Sequence, residues 1–281
     1  MIPDFLKKRL IRIGCYYFLQ HQINRFRQLI LQLQLRYHYR SHKGSGFCCN
    51  CCGAKYTAFA PWYPSKADAP ALLKHQVVAG YGDHCICPAC LSTSRERLVL
   101  GMLVQDKHWT GKSVLHIAPE KRVYRRLIQE AVVTTADAEP GFYQYTDPNG
   151  KQEDLCALSF DSHSFALVIA NHVLEHILDD RAAMREVFRV LVPGGRAILQ
   201  VPYSTSLSAT LEDETVIDSA ERSTLFGQRD HVRIYQLDDY CQRLRETGFM
   251  VTVYADEQLA TLQPNAIQAG EVFFIIQKPI A

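Results

Sequence analysis

Apolar and polar positions change period along this chain. From residue 112 onward, short apolar runs are separated by stretches with helical spacing. The runs include Val114-Leu115-His116-Ile117, Val132-Val133-Thr134-Thr135-Ala136 and Ala166-Leu167-Val168-Ile169-Ala170. The third is apolar throughout, as a strand covered on both faces requires. Residues 122–130 read as helix, and Met184, Val187, Phe188 and Leu191 recur at helical spacing within 181–191. Pro193-Gly194-Gly195 stops that helix, and residues 196–201 return as a strand. Residues 236–247 form another helix, ended by Gly248, and strands follow at 249–254 and 272–276. Repeated strand–helix–strand units predict an α/β fold with a doubly wound, mostly parallel sheet over residues 96–281.

The N-terminal segment has a different rhythm. Tyr16, Leu19, Ile23, Phe26, Ile30, Leu33 and Tyr37 recur at alternating spacings of three and four, a heptad-like stripe on a helix within residues 4–40. The turn Ser41-His42-Lys43-Gly44-Ser45-Gly46 closes it, which makes 1–46 a helical arm. The stripe reads first as a face packed on the body or on a second copy. It reads second as a helix lying on an anionic membrane surface, although the many glutamines are weak anchors.

Composition sharpens this division. A hydrophobic share of 47% and a charged share of 21% exclude wholesale disorder. Residues 1–46 hold nine Lys or Arg against Asp4 alone, whereas the rest holds 22 basic and 28 acidic residues. The basic character therefore belongs to the arm, and such arms meet anionic surfaces, lipid or nucleic acid. No apolar window is long enough to span a bilayer, and the start lacks a secretory h-region. The expectation is a cytoplasmic protein, peripheral at the inner face of a membrane if the arm binds lipid.

Seven of the ten cysteines fall between Cys48 and Cys90. Tight clustering in a chain with no secretory signal points to a metal in a reducing compartment rather than to disulfides. Two C-x-x-C knuckles about 35 residues apart suit a structural, four-thiolate Zn²⁺ site, with the intervening chain as a short hairpin. In Cys48-Cys49-Asn50-Cys51-Cys52-Gly53 two pairs share the spacing, and Cys49 with Cys52 is preferred because glycine follows. Cys87 and Cys90 complete the set, so residues 47–95 form a zinc-binding, zinc-ribbon-like module.

A doubly wound sheet binds ligands beyond the carboxyl ends of its strands. The residues there are His116-Ile117-Ala118-Pro119-Glu120, Asp137, Asp154-Leu155 and Asn171-His172. An acidic residue beyond the second strand is placed to accept two ribose hydroxyls.

As a string, Glu153-Asp154-Leu155, Phe165-Ala166-Leu167-Val168-Ile169, Asn171-His172-Val173-Leu174-Glu175-His176-Ile177 and Arg189-Val190-Leu191-Val192-Pro193-Gly194-Gly195 closely resemble the class I S-adenosylmethionine (SAM)-dependent methyltransferases, of the type 11-like kind. The resemblance covers roughly residues 110–280. It implies that Asp137 binds the SAM ribose and that Asp154 and Leu155 bind adenine. It places His116 to Glu120, with Ala118 among them, around the methionine part, and Asn171 is a further expected cofactor contact. A smaller bacterial group within that family has a four-cysteine knuckle domain, an L-H-I-A-P-E first loop and a later D-H-V-R-x-Y stretch. The same features here are Cys49/Cys52/Cys87/Cys90, Leu115 to Glu120, and Asp230-His231-Val232-Arg233-Ile234-Tyr235.

The first loop departs from the wider family. His116 takes the usual acidic position, and Ala118, Pro119 and Glu120 stand where glycines are usual. Glu120 is then expected to pair with the SAM ammonium, and Pro119 to occupy the first turn of the following helix. The expected activity is methyl transfer to an acceptor such as a sugar or another small or polymeric metabolite. His231, with Asp230 beside it, and His172 are the candidate bases, and Arg233 and Tyr235 the candidate acceptor contacts. Two alternatives follow from the same residues. One is an RNA methyltransferase using the basic arm and zinc module, disfavoured because aromatic and basic residues do not interleave as on a stacking platform. The other is a scaffold whose cofactor pocket has decayed.

Overall fold

The computed structural model describes residues 16–280. Helix α1 (Tyr16–His38) is followed by β1 (Lys43–Cys48), β2 (Lys55–Tyr56), β3 (Ala60–Trp62), α2 (Ala69–Lys74), β4 (Gly82–Ile86) and α3 (Ser94–Gln105). Next come β5 (Ser113–Ile117), α4 (Lys121–Leu127), β6 (Val132–Asp137), β7 (Lys151–Gln152), β8 (Phe165–Ala170), α5 (Asp180–Val190) and β9 (Leu191–Ile198). The chain finishes with β10 (Tyr203–Ser204), β11 (Leu211–Glu212), α6 (Ser219–Phe226), β12 (Arg233–Gln236), α7 (Leu237–Glu246), β13 (Met250–Tyr254) and β14 (Phe273–Gln277).

Seven strands form one sheet in the order β13-β14-β9-β8-β5-β6-β7. The pairings from β9 through β7 are parallel. β14 runs antiparallel to both neighbours, so the doubly wound sheet contains a single reversed strand near one edge. Every residue of β8 is buried, as its unbroken apolar run demands. β9 starts directly at Leu191, so the Pro-Gly-Gly step lies inside a strand, where the register against β8 shifts. The chain moves from β5 outward to β6 and β7, then restarts at β8 on the other side of β5. A crevice therefore opens at the carboxyl ends of β5 and β8.

Both faces of the sheet are covered. Met184 and Val187 of α5 and Leu244 of α7 pack with Leu115, Val168 and Leu199. On the other face, Leu98, Val99 and Leu103 of α3 join Val114, Leu167, Ile169 and the fully buried Trp109. Thr93 caps α3 and forms a reciprocal capping box with Glu96. That helix crosses the domain boundary expected at 95/96, so the cysteine segment leads into the sheet without a linker.

The arm does not pack its apolar stripe on the body. Its first fifteen residues lie outside the described residues. Along α1 the stripe faces outward: Ile23 is 49% exposed, Phe26 64% and Leu33 57%. The face that meets the body is another one. Tyr17 packs edge-on against Phe142, His21 stacks on Tyr145, and Arg36 donates to the Ala89 carbonyl. Among the described residues, no helix is long and apolar enough to cross a membrane.

The chain between the two knuckles is also more than the hairpin expected. β3 pairs with β4, and α2 lies between them. From there the chain reaches the insertion after β9, where β10, β12 and β11 form a small sheet. Val78 bridges to Tyr203, and Ser204 donates to the His75 carbonyl.

Glu271, at the entrance to β14, is 5% exposed. Burial pushes its carboxyl up to about 7, and the nearby Arg95 charge offsets only part of this. An unfolded glutamate ionises near pH 4.3, at about the usual value. The folded state thus binds the extra proton between those limits, and stability falls as pH rises through that window. Glu271→Gln should flatten this dependence in urea unfolding. At pH 8 the variant should be the more stable protein, by about 4 kcal/mol at most.

Candidate active site and cysteine cluster

A cleft of about 600 Å³ occupies the crevice between the two halves of the sheet. Ile117 and Ala118 line it from the end of β5, Asp137 from β6, and Asp154 and Leu155 from the loop after β7. His172 and His176 follow β8 on the opposite wall, with Asp230 beside them.

The backbone takes unusual forms at the mouth. Ala118 has φ +48° and His172 φ +54°, the left-handed region that glycine enters freely. Each is pinned by a hydrogen bond, Ala118 N–H to Ala136 O at 3.0 Å and His172 N–H to Gln200 O at 2.7 Å. Ala118 thus reproduces the turn of a glycine-containing loop at a cost of about 1 kcal/mol.

Asp137 ends β6, and its Oδ1 accepts the Glu139 N–H at 2.7 Å. Burial raises its pKa from the ordinary aspartate value, and the Glu139 N–H offsets part of this. Asp154 Oδ1 accepts the Cys156 N–H at 2.8 Å, shaping the turn that presents Leu155. Tyr143 also lines the cleft, and burial raises its phenol. It lies in a 3₁₀ turn after β6 and carries no periodic signal that would identify it.

The first-loop residues are disposed differently from expectation. His116 is fully buried, with Nε2 3.2 Å from Glu120 Oε2. Asn171 Nδ2 donates to Glu120 Oε1 at 2.5 Å. The Glu120 carboxylate is therefore shared by two side chains of its own chain, and none of the three lines the cleft. Asn171 keeps one polar atom in reserve, because its buried Oδ1 has no partner among the described residues. Pro119 precedes the N-cap Glu120 of α4, one position outside the helix start expected for it.

The Asp230–Tyr235 stretch divides. Arg233 is 3% exposed and Tyr235 fully buried, so neither reaches the cleft. Arg233 donates to Glu212 at 2.8 Å, to Leu178 O at 2.8 Å and to the Ile177 carbonyl. Tyr235 donates to Asp180 at 2.7 Å. Both hold the structure together, which corrects their assignment as acceptor contacts. Asp230 turns to His176, 3.5 Å away, and not to His231.

The carboxylate nearest His231 is Glu175, at 3.9 Å, and the same oxygen lies 3.3 Å from His172 Nδ1. Burial alone would raise the Glu175 carboxyl, but His172, His176 and His231 hold it down at about 2. Burial lowers His231 to about 4, leaving it neutral at neutral pH. Glu175 was not singled out from sequence. Its adjacency to His176 in the Leu174-Glu175-His176 turn was the available signal.

The cysteine cluster is compact. Cys49, Cys52, Cys87 and Cys90 place their sulfurs within 4.8 Å of one another. Cys49 to Cys90 is 3.7 Å and Cys52 to Cys87 is 3.9 Å. Zinc–sulfur bonds in a tetrahedron require about 3.8 Å between sulfurs, so the donors fit Zn²⁺. Cys48, Cys51 and Cys85 lie outside the group of four.

Residues 113–199 match the family model described as a methyltransferase domain, a span running from the first residue of β5 to just past β9. That match covers 87 of the 281 residues. Among solved structures, a SAM-dependent methyltransferase from Mesorhizobium loti is 15% identical over 63% of this chain and 96% of its own, with a TM-score of 0.47. A putative SAM-dependent methyltransferase from Listeria monocytogenes is 16% identical over 64% of this chain and 99% of its own, with a TM-score of 0.44. Phosphoethanolamine N-methyltransferase 2 of Haemonchus contortus, in complex with SAM, is 15% identical over 66% of this chain, with a TM-score of 0.43. This chain spans about half of that longer protein, 52% of its length. A search of curated proteins finds no match.

Two outcomes are expected for these sites. Elemental analysis of protein purified under reducing conditions should find one zinc per chain. Cys87→Ser should lower that content and Cys156→Ser should leave it intact, since Cys156 is outside the cluster. In calorimetry, Asp137→Ala should weaken SAM binding by about 2–3 kcal/mol, roughly 30- to 150-fold, through loss of charge-assisted bonds to the ribose. Asp161→Ala, away from the cleft lining, should bind SAM as the wild type does.

Proposed function

We propose that the protein binds SAM across the cleft and transfers its methyl group to a hydroxylated small-molecule or glycan-type acceptor. The observation that carries this reading is the arrangement around the β5/β8 crevice. Asp137, Asp154 and Leu155 stand on one wall, and His172, His176 and Asp230 on the other. Asp137 would take the ribose hydroxyls, Asp154 the adenine amino group, and the Leu155 backbone the ring nitrogens. The left-handed turn at Ala118 lets the main chain approach the methionine part.

Bound SAM supplies a methyl group on a sulfonium centre, open to in-line displacement. The protein's own contribution is chiefly alignment of the acceptor atom opposite that methyl. An oxygen or nitrogen acceptor sheds a proton on transfer. Of the three residues expected to receive it, Asp230 and His172 border the cleft, while His231 stands behind them. The four cysteines have a structural role in this reading, because four protein ligands leave zinc no open position.

A polar, mixed-charge rim of Arg222, Asp230 and His176 suits a hydroxylated acceptor. A nucleic acid would meet a body with 22 basic and 28 acidic residues beyond position 46, which repels phosphate. The test supplies SAM with a tritiated methyl group to purified protein and fractionated cell extract. Label should enter a ribonuclease-resistant fraction of sugars or glycans. Label released by ribonuclease would overturn the acceptor class, and a protein that binds neither SAM nor S-adenosylhomocysteine would overturn the reading entirely.

A further inference from the structure

Behind the acceptor wall of the cleft, Glu175, His176 and His231 place one donor atom each within 4.8 Å of one another. Two of the three are enclosed, Glu175 at 1% exposure and His231 at 5%, and His176 opens to the cleft. The His176 and His231 rings meet edge to face at 4.8 Å between centroids. A second, independent feature points to a missing partner. Glu175 Oε2 is buried and has no hydrogen-bond partner among the described residues. A carboxylate oxygen left bare in a protein interior costs several kcal/mol. Such an oxygen ordinarily meets a donor or a cation.

The surroundings supply further donors. His172 Nδ1 stands 3.3 Å from Glu175 Oε1 and has no hydrogen bond among the described residues. Asp230 Oδ2 stands 3.5 Å from His176 Nδ1 at the cleft rim. The backbone locks the two halves together, with Val232 N–H donating to Glu175 O at 2.9 Å. Arg233 fixes the same turn from behind through the carbonyls of Leu174, Ile177 and Leu178.

We propose that Glu175, His176 and His231 bind a divalent first-row transition metal at the acceptor side of the cleft. Two imidazoles and a carboxylate select Mn²⁺, Fe²⁺, Co²⁺ or Zn²⁺, in contrast to the all-thiolate cysteine cluster. Three protein donors leave positions open toward the cleft, where His176 and Asp230 lie. In the methyl-transfer reading, on which this role rests, an acceptor hydroxyl at an open position becomes more acidic. The acceptor oxygen then forms its bond to the methyl carbon as the sulfonium–carbon bond breaks. Its proton passes to Asp230 or to solvent.

The site is tested by adding Mn²⁺ to zinc-replete protein and reading free ion by electron paramagnetic resonance. Zinc content is assayed in parallel, so displacement at the cysteines is visible. One Mn²⁺ per chain should bind, with zinc unchanged. Glu175→Gln and His176→Ala should each weaken Mn²⁺ binding by about tenfold or more. Glu175 is buried and its variant could misfold, so circular dichroism is recorded and His176→Ala, at a half-exposed position, carries the test independently. No saturable Mn²⁺ binding by the wild type, or equal binding by a folded His176→Ala, overturns the site. Because the readout bypasses SAM, the expected pattern supports the site even in protein that transfers no methyl group.

Discussion

One buried guanidinium joins the two unlike parts of this molecule. Arg97, on α3, is fully buried and aims its donors at five main-chain carbonyls. Three belong to the cysteine segment: Ser92 at 2.6 Å, His84 at 3.0 Å and Cys85 at 3.2 Å. Two belong to the turn ahead of β14, Asn265 and Ala266, both at 2.6 Å. Burying an unpaired guanidinium costs several kcal/mol, so the position is tolerable only while all of these acceptors stay in place. Asn265 returns the contact by donating to Cys48 O at 2.8 Å. The cysteine cluster is therefore coupled to the sheet, and Ser92, which holds Arg97, also lies 3.2 Å from Cys49 Sγ.

A second charged network governs the opposite end of the sheet. Asp180 accepts from Tyr235 and Arg243, and Glu212 accepts from Arg233 and Arg243. Its product is positional. Arg233 clamps the turn that carries Glu175 and His176, while β12 begins two residues after His231. The residues on the β8 side of the cleft are held by a cluster that lies outside its lining. A polar stretch such as Asp-His-Val-Arg-Ile-Tyr therefore contains both side chains at the cleft and purely supporting ones. Charge-assisted hydrogen bonds in a dry setting are strong enough to fix that geometry.

The arm follows neither network. Among the described residues its contacts include aromatic pairs and hydrogen bonds to the Ala89 carbonyl, and its apolar stripe is left facing solvent. The helix period was legible, but the period says only that one face is apolar. Which face meets the body depends on shape, and here the pocket between Phe142 and Tyr145 takes Tyr17 and His21.

Much of the fold follows from local rules. The unbroken run at 166–170 can only be a strand with both faces covered, and its alternation with helical segments implies parallel winding. Knuckle spacing, with glycine after Cys52, singles out the four cysteines that the structure gathers, because the turn they need is a local property. The place of Asp137 at the cleft was likewise legible, since parallel strands end at the crevice. What the tertiary structure decided lies in long-range pairing. The reversal of β14 depends on the edge left free by β9. Whether Arg233 faces an acceptor or a neighbouring carboxylate depends on Glu212, 21 positions away. Glu120 is held by Asn171, 51 positions away. Glu175 and His231 are 56 positions apart and acquire meaning only when the sheet brings them together. Side-chain type can be read from a chain one residue at a time, but a partner exists only once the backbone has closed the distance.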